Sequence, residues 1–169
     1  DYWDGNITGN GFAQTPEYGF GENPLNKYKR HIFMLRPNKV VIYDDLGADE
    51  PATWQWLLHS DKEFQIAGNK VTTHYSSSNR GDFVSVAQIF SNHTPIITKT
   101  NEWFMNIEPV EDGHGYPKQW HLTANFEATA TNRILTVIQL NDQGESEENV
   151  WRANNNFVIG DWSIAVSYT

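Results

Sequence analysis

The sequence predicts an all-β protein, an antiparallel β-sandwich of roughly ten or more strands. Three observations lead there. Seven Trp, nine Phe and seven Tyr stand in short apolar runs rather than in long helical stripes, and aromatic and β-branched side chains pack well on a pleated sheet. Clusters of Gly, Asn, Asp, Ser and Pro break the chain at intervals of about 8–12 residues, the spacing of a sandwich or barrel. No segment sustains the 3.6-residue apolar period of an amphipathic helix.

The elements follow in order. Residues 1–26 hold Asp4-Gly5, Gly9-Asn10-Gly11 and Gly19-Phe20-Gly21 without a sustained period, and read as an irregular arm lying over the body. A hairpin follows, with strands at 27–36 and 39–46 around a tight Pro37-Asn38 turn. Its second strand carries the unbroken run Val40-Val41-Ile42-Tyr43, the pattern of a strand covered on both faces. Gly47 to Pro51 reads as a turn. Over 52–60, Trp54, Trp56 and Leu58 alternate with Gln55, Leu57 and His59, which sets His59 on the more polar face. Further strands are expected near 63–67, 70–76, 81–91, 95–100, 119–128, 132–140 and 157–168, with a long loop from Glu108 to Lys118 and an acidic turn from Asn141 to Glu148.

At 169 residues the chain is long enough to bury roughly two-thirds of the surface it exposes when unfolded, which one core achieves, so residues 1–169 read as a single domain. The absence of cysteine excludes disulfides and thiolate metal sites. No apolar run reaches the length of about 18 residues that a spanning helix needs, and no charged-then-apolar leader is present. The first residue is Asp1 rather than Met, as expected of a fragment or a processed product. A net charge of -9 argues against a nucleic-acid partner and an anionic membrane surface. Locally the balance reverses: Lys27, Lys29, Arg30, Arg36 and Lys39 fall within thirteen residues. That cluster either protects a strand edge or attracts an anionic sugar.

The segments Lys29-Arg30-His31, Arg36-Pro37-Asn38, Val40-Val41-Ile42-Tyr43-Asp44-Asp45-Leu46 and Trp56-Leu57-Leu58-His59 resemble the C-terminal β-sandwich portion of heparinase II/III-like polysaccharide lyases. A looser likeness runs through Pro117-Lys118-Gln119-Trp120-His121-Leu122 and Leu135-Thr136-Val137. The resemblance implies an N-terminal helical toroid in the same polypeptide, packed on the sandwich to form a cleft that cleaves acidic polysaccharides by β-elimination. It further implies a periplasmic or extracellular location. Such a reaction removes the proton beside a uronate carboxylate, which requires a base and a group that stabilises the developing charge. The family's His-x-His-x-Asp-x-Gly and Ala-His-Asn segments have no counterpart in this sequence and would lie upstream of Asp1, as would the helical domain with its catalytic Tyr. No catalytic or metal-binding residue is therefore carried over, no cofactor is expected, and the chain alone is expected to lack lyase activity.

The substrate-contact candidates are Arg30, His31 and His59: the first two for the positive charge around them, the third for its place on a polar strand face. The six histidines, His31, His59, His74, His93, His114 and His121, occur singly with no metal-ligand spacing. Asp44 and Asp45, adjacent on a strand, point to opposite faces and cannot converge on one glycosidic bond; pairing with Arg30 or Arg36, or capping of the following turn, accounts for them better. The cluster Asp142, Glu145, Glu147 and Glu148 lacks EF-hand spacing for calcium. Most of the tryptophans are expected in the core, and Trp3, Tyr18 and Trp103 are the expected exposed aromatics for stacking on sugar rings. Asn6-Ile7-Thr8 and Asn92-His93-Thr94 match the glycosylation triplet. Two other functions fit the same residues: a non-catalytic carbohydrate-binding module, favoured by an exposed Trp/Tyr strip, and a purely structural interdomain sandwich.

Overall fold

The computed structural model describes residues 2–6, 25–79, 81–102, 118–153 and 156–165. Among them there is no helix, and thirteen strands make three antiparallel sheets. β1 (Tyr2–Asn6), β2 (Leu25–Leu35), β3 (Lys39–Ala52), β5 (Gln65–Ala67), β6 (Lys70–Ser77), β7 (Gly81–Ser91) and β10 (Thr129–Asp142) form the large sheet, in the order β1-β2-β3-β10-β7-β6-β5. β4 (Gln55–Ser60), β9 (Trp120–Asn125) and β8 (Ile96–Thr100) form a second sheet, and β11 (Val150–Ala153), β12 (Asn156–Ile159) and β13 (Trp162–Ala165) a third.

The two small sheets cover opposite faces of the large one. Along β10, Ile134 joins a core with Leu46, Trp54, Trp56, Phe64, Leu122 and Phe126, which binds the β4-β9-β8 sheet. Its neighbour Leu135, and Val137, join Leu35, Val41, Phe157 and Ile159 in a separate core under β11–β13. Alternation along one strand thus feeds two cores. The run Val40 to Tyr43 is apolar throughout for the same reason: Val41 and Tyr43 serve the second core and Ile42 the first.

Several elements differ from the sequence reading. Tyr2–Asn6, expected as part of an irregular arm, is a strand paired with β2 from Tyr2↔Phe33 to Asn6↔Lys29. Gly47 to Pro51 is no turn, because β3 continues through it to Ala52. Gly47 is required there for close approach: a Cβ would stand 2.5 Å from Asn26 Oδ1 and 3.1 Å from Lys27 Cβ. The strand expected over 157–168 is split into the hairpin β12–β13, with Ile159 opposite Trp162 across Gly160-Asp161. Gly160 has φ +55, and a Cβ on it would collide with the Glu148 carboxylate. β11 was not foreseen, since four residues are too few to show a period. Tyr18, Trp103, His114 and nearly all of the loop expected from Glu108 to Lys118 lie outside the described residues.

The acidic turn that follows β10 is tied to the body through one buried amide. Gln139, fully buried, donates Nε2 to the Glu148 carbonyl at 2.8 Å and accepts from the Glu148 amide at 3.0 Å. Lys39 Nζ adds an ion pair with Glu148 at 2.7 Å, and Lys70 one with Glu147 at 2.5 Å. Gln139→Ala strands both backbone groups of Glu148, at about 1–3 kcal/mol for each one left dry. Allowing for water entering the turn, urea unfolding of this variant is expected to show a loss of about 1–3 kcal/mol.

Candidate functional site

The site candidates named from sequence do not converge. Arg30 is directly opposite Asp44 on the face that looks toward the β4-β9-β8 sheet. Its Nε and Nη2 bond the two Asp44 oxygens at 2.6 and 2.9 Å, and Asp44 is only 1% exposed. This bond, opposed by partial desolvation, raises the guanidinium above its ordinary value. Burial is also the main cause that raises the nearby Tyr28 phenol, with Arg30 pulling it down and Asp44 pushing it up.

His31, one residue on, points to the other face, its ring 5.9 Å from that of Tyr43. His59 lies on the outward face of the β4-β9-β8 sheet and is exposed. The three occupy three different surfaces. Asp44 and Asp45 do diverge, Asp44 to Arg30 and Asp45 to Lys27 and Arg133, at 2.5 and 3.3 Å for the latter pair.

A more concentrated arrangement sits where β2 and β10 begin and β3 and β7 end. Lys29, Asp45 and Arg133 lie in one cross-strand row, followed by a second row of His31, Tyr43, Leu135 and Phe90. Arg152 of β11 reaches over this end, with Cζ 5.7 Å from the centre of the Phe157 ring and Nη1 donating to Asn92 Oδ1 at 3.1 Å. Tyr43, Phe90, Asn92, Arg133 and Arg152 line the resulting crevice.

Asn92 also borders an open concavity of about 540 Å³, lined besides by His93, Thr94, Ile96, Asn125 and Glu127. That volume lies within the range of roughly 300–1,000 Å³ usual for small-ligand clefts. His93 Nδ1 and Glu127 Oε1 are 2.8 Å apart across it. Arg133 and Arg152 in the crevice, and His93, Asn125 and Glu127 around the concavity, thus make a polar depression whose two parts share Asn92. Such a set suits carboxylate or sulfate oxygens and sugar hydroxyls.

Sequence reasoning missed Arg133 and Arg152 because each is about as plain as a surface arginine can be until the β3–β10 pairing is known. One signal was available: Arg133, Leu135, Val137 and Gln139 alternate on a single face of a long strand.

The aromatic residues divide clearly. Trp54 and Trp56 are 7% and 4% exposed and belong to the core. Trp151 and Trp162 are 53% and 47% exposed. They stand opposite the consecutive residues Val158 and Ile159, so they face opposite sides of their sheet and make no flat strip together. In the acidic turn, Glu147 and Glu148 are paired with lysines and Glu145 Oε2 accepts from the Asp142 amide. Among the described residues, no three His, Asp or Glu side chains come together as a metal-binding group.

No protein-family model matches the chain, and no curated protein matches it. Solved structures do. A heparinase III crystal structure superposes over 88% of the chain with a TM-score of 0.61 at 18% identity. The chain has the fold of a part of heparinase III. A second heparinase III structure matches over 91% with a TM-score of 0.63 at 14% identity, and its form with methylated lysines over 86% with a TM-score of 0.58. The chain spans about a quarter of those heparinase III chains, 24% of each of the first two.

Proposed function

We propose that this chain is the C-terminal β-sandwich domain of a heparinase II/III-like polysaccharide lyase. In the longer protein it packs on a helical domain and lines one wall of a cleft in which uronate-containing acidic glycans, glycosaminoglycans among them, are cleaved by β-elimination. Alone it is not catalytic. The observation that carries this reading is the heparinase III fold across nearly the whole chain, which nonetheless fills only 24% of the heparinase III chains. A protein that degrades such glycans works in the periplasm or outside the cell, and that location belongs to the same proposal.

Substrate contact is assigned to the depression around Arg133, Arg152 and Asn92, with His31 at its border. Arg30 is placed in a structural role, because its guanidinium is already bonded at both ends of the Asp44 carboxylate. His59 has no part in this depression. Arg133→Gln and Arg152→Gln in the longer protein are each expected to lower kcat/KM on heparan sulfate about tenfold, equivalent to about 1.4 kcal/mol, chiefly through KM. Unchanged kinetics in both variants would remove the depression from the substrate path.

A further inference from the structure

His59 and His121 are direct cross-strand partners on the outward face of the β4-β9-β8 sheet. Their ring centres are 4.4 Å apart and their planes are inclined by 52°. Neither ring has a hydrogen-bond or ion-pair partner among the described residues. To one side of the pair the face is uncharged, with Leu57, Thr123 and Thr98 in the next row and Gln55, Asn125 and Ile96 in the row beyond; to the other side stand Asp61 and the Lys118–Glu102 ion pair. Gln55 and Asn125 are bonded to each other at 2.7 Å, and Thr100, beside His121, accepts from the Glu102 amide through Oγ1 at 3.0 Å. The two imidazoles are therefore the uncommitted nitrogen ligands of this face among the described residues.

Two imidazoles that bind one ion through near nitrogens at about 2.0–2.1 Å, roughly 90° apart, have ring centres about 4.5 Å from one another. The observed separation of 4.4 Å matches that distance. The strand pairing has already brought the two together, so the second imidazole binds at high effective concentration. Nitrogen-only ligation favours late first-row divalent ions over calcium or magnesium, with Cu²⁺ strongest.

We infer that His59 and His121 form a two-histidine site for a late first-row divalent cation, Cu²⁺, Ni²⁺ or Zn²⁺, that clips β4 to β9. Among the described residues no carboxylate or third histidine joins the pair, and water completes the coordination. The site is thus open and exchangeable.

The test is calorimetric titration of Ni²⁺ into the 169-residue chain at a pH where imidazole is neutral, with thermal unfolding followed in the same samples. His59→Ala and His121→Ala are each expected to weaken Ni²⁺ binding at least about tenfold by destroying the chelate. His74→Ala, an exposed histidine on another sheet, leaves it unchanged. Ni²⁺ raises the Tm of the wild-type chain, because the ion binds only the folded strand pair, and this rise disappears in the two variants. Circular dichroism confirms that each variant is folded. Ni²⁺ binding that survives in His59→Ala and His121→Ala, that falls equally in His74→Ala, or that is absent from the wild-type chain overturns the assignment.

Discussion

Arg30→Met is expected to destabilise the chain by about 3–5 kcal/mol, the usual consequence of removing one partner of a buried ion pair. The cost arises at Asp44. That carboxylate is 1% exposed and takes both of its strong bonds from Arg30. Without them it is a charge in the core between the large sheet and the β4-β9-β8 sheet. Replacing the pair together, Arg30→Met with Asp44→Leu, is expected to recover most of the loss, since apolar packing of similar volume often equals or exceeds a buried pair. Urea unfolding of the single and double variants measures both effects. A loss below about 1 kcal/mol in the single variant would mean that the pair is solvated like a surface bridge. The experiment also separates structure from binding, because glycan turnover by the longer protein carrying both substitutions is expected to remain near wild type.

Trp56→Ala should cost about 3–5 kcal/mol, the range for emptying a buried large aromatic. Trp56 is 4% exposed and packs in the core with Phe64, Leu122 and Ile134. Marginal stability of about 5–15 kcal/mol leaves little reserve against such a cavity. Trp56→Phe keeps much of the packed volume and should lose substantially less. A sugar platform would behave differently: Trp56→Ala would weaken glycan binding while leaving the unfolding midpoint in place.

The large features of the fold were legible because they depend on local pattern. The alternation of Trp54, Trp56 and Leu58 against Gln55, Leu57 and His59 placed the core face of β4 correctly, and the run Val40 to Tyr43 revealed a strand covered on two sides. Gly47 misled because glycine at a turn and glycine opposite an irregular stretch of a neighbouring strand look alike in sequence; only the position of Asn26, at the register shift of β2, distinguishes them. The Gly160-Asp161 turn was readable as a hairpin signal, but the apolar residues on both sides hid it.

The candidate site was harder to see for a topological reason. The depression draws Asn92, Arg133 and Arg152 from three separate strands or strand ends, and Lys29, Asp45 and Arg133 meet only through pairings between β2, β3 and β10. A cluster in sequence, Lys27 to Lys39, is divided by the pleat instead: Arg30 goes to one face and His31 to the other. Proximity along a strand therefore overstated their cooperation.

The most direct test of the account is an ultraviolet assay for the unsaturated uronate product on heparan sulfate, chondroitin, hyaluronan and alginate, run with the 169-residue chain and with the longer protein proposed to contain it. Product is expected from the longer protein alone. Product from the isolated chain would contradict the reading that this domain is not catalytic alone, and silence from both on every glycan would contradict the lyase reading itself.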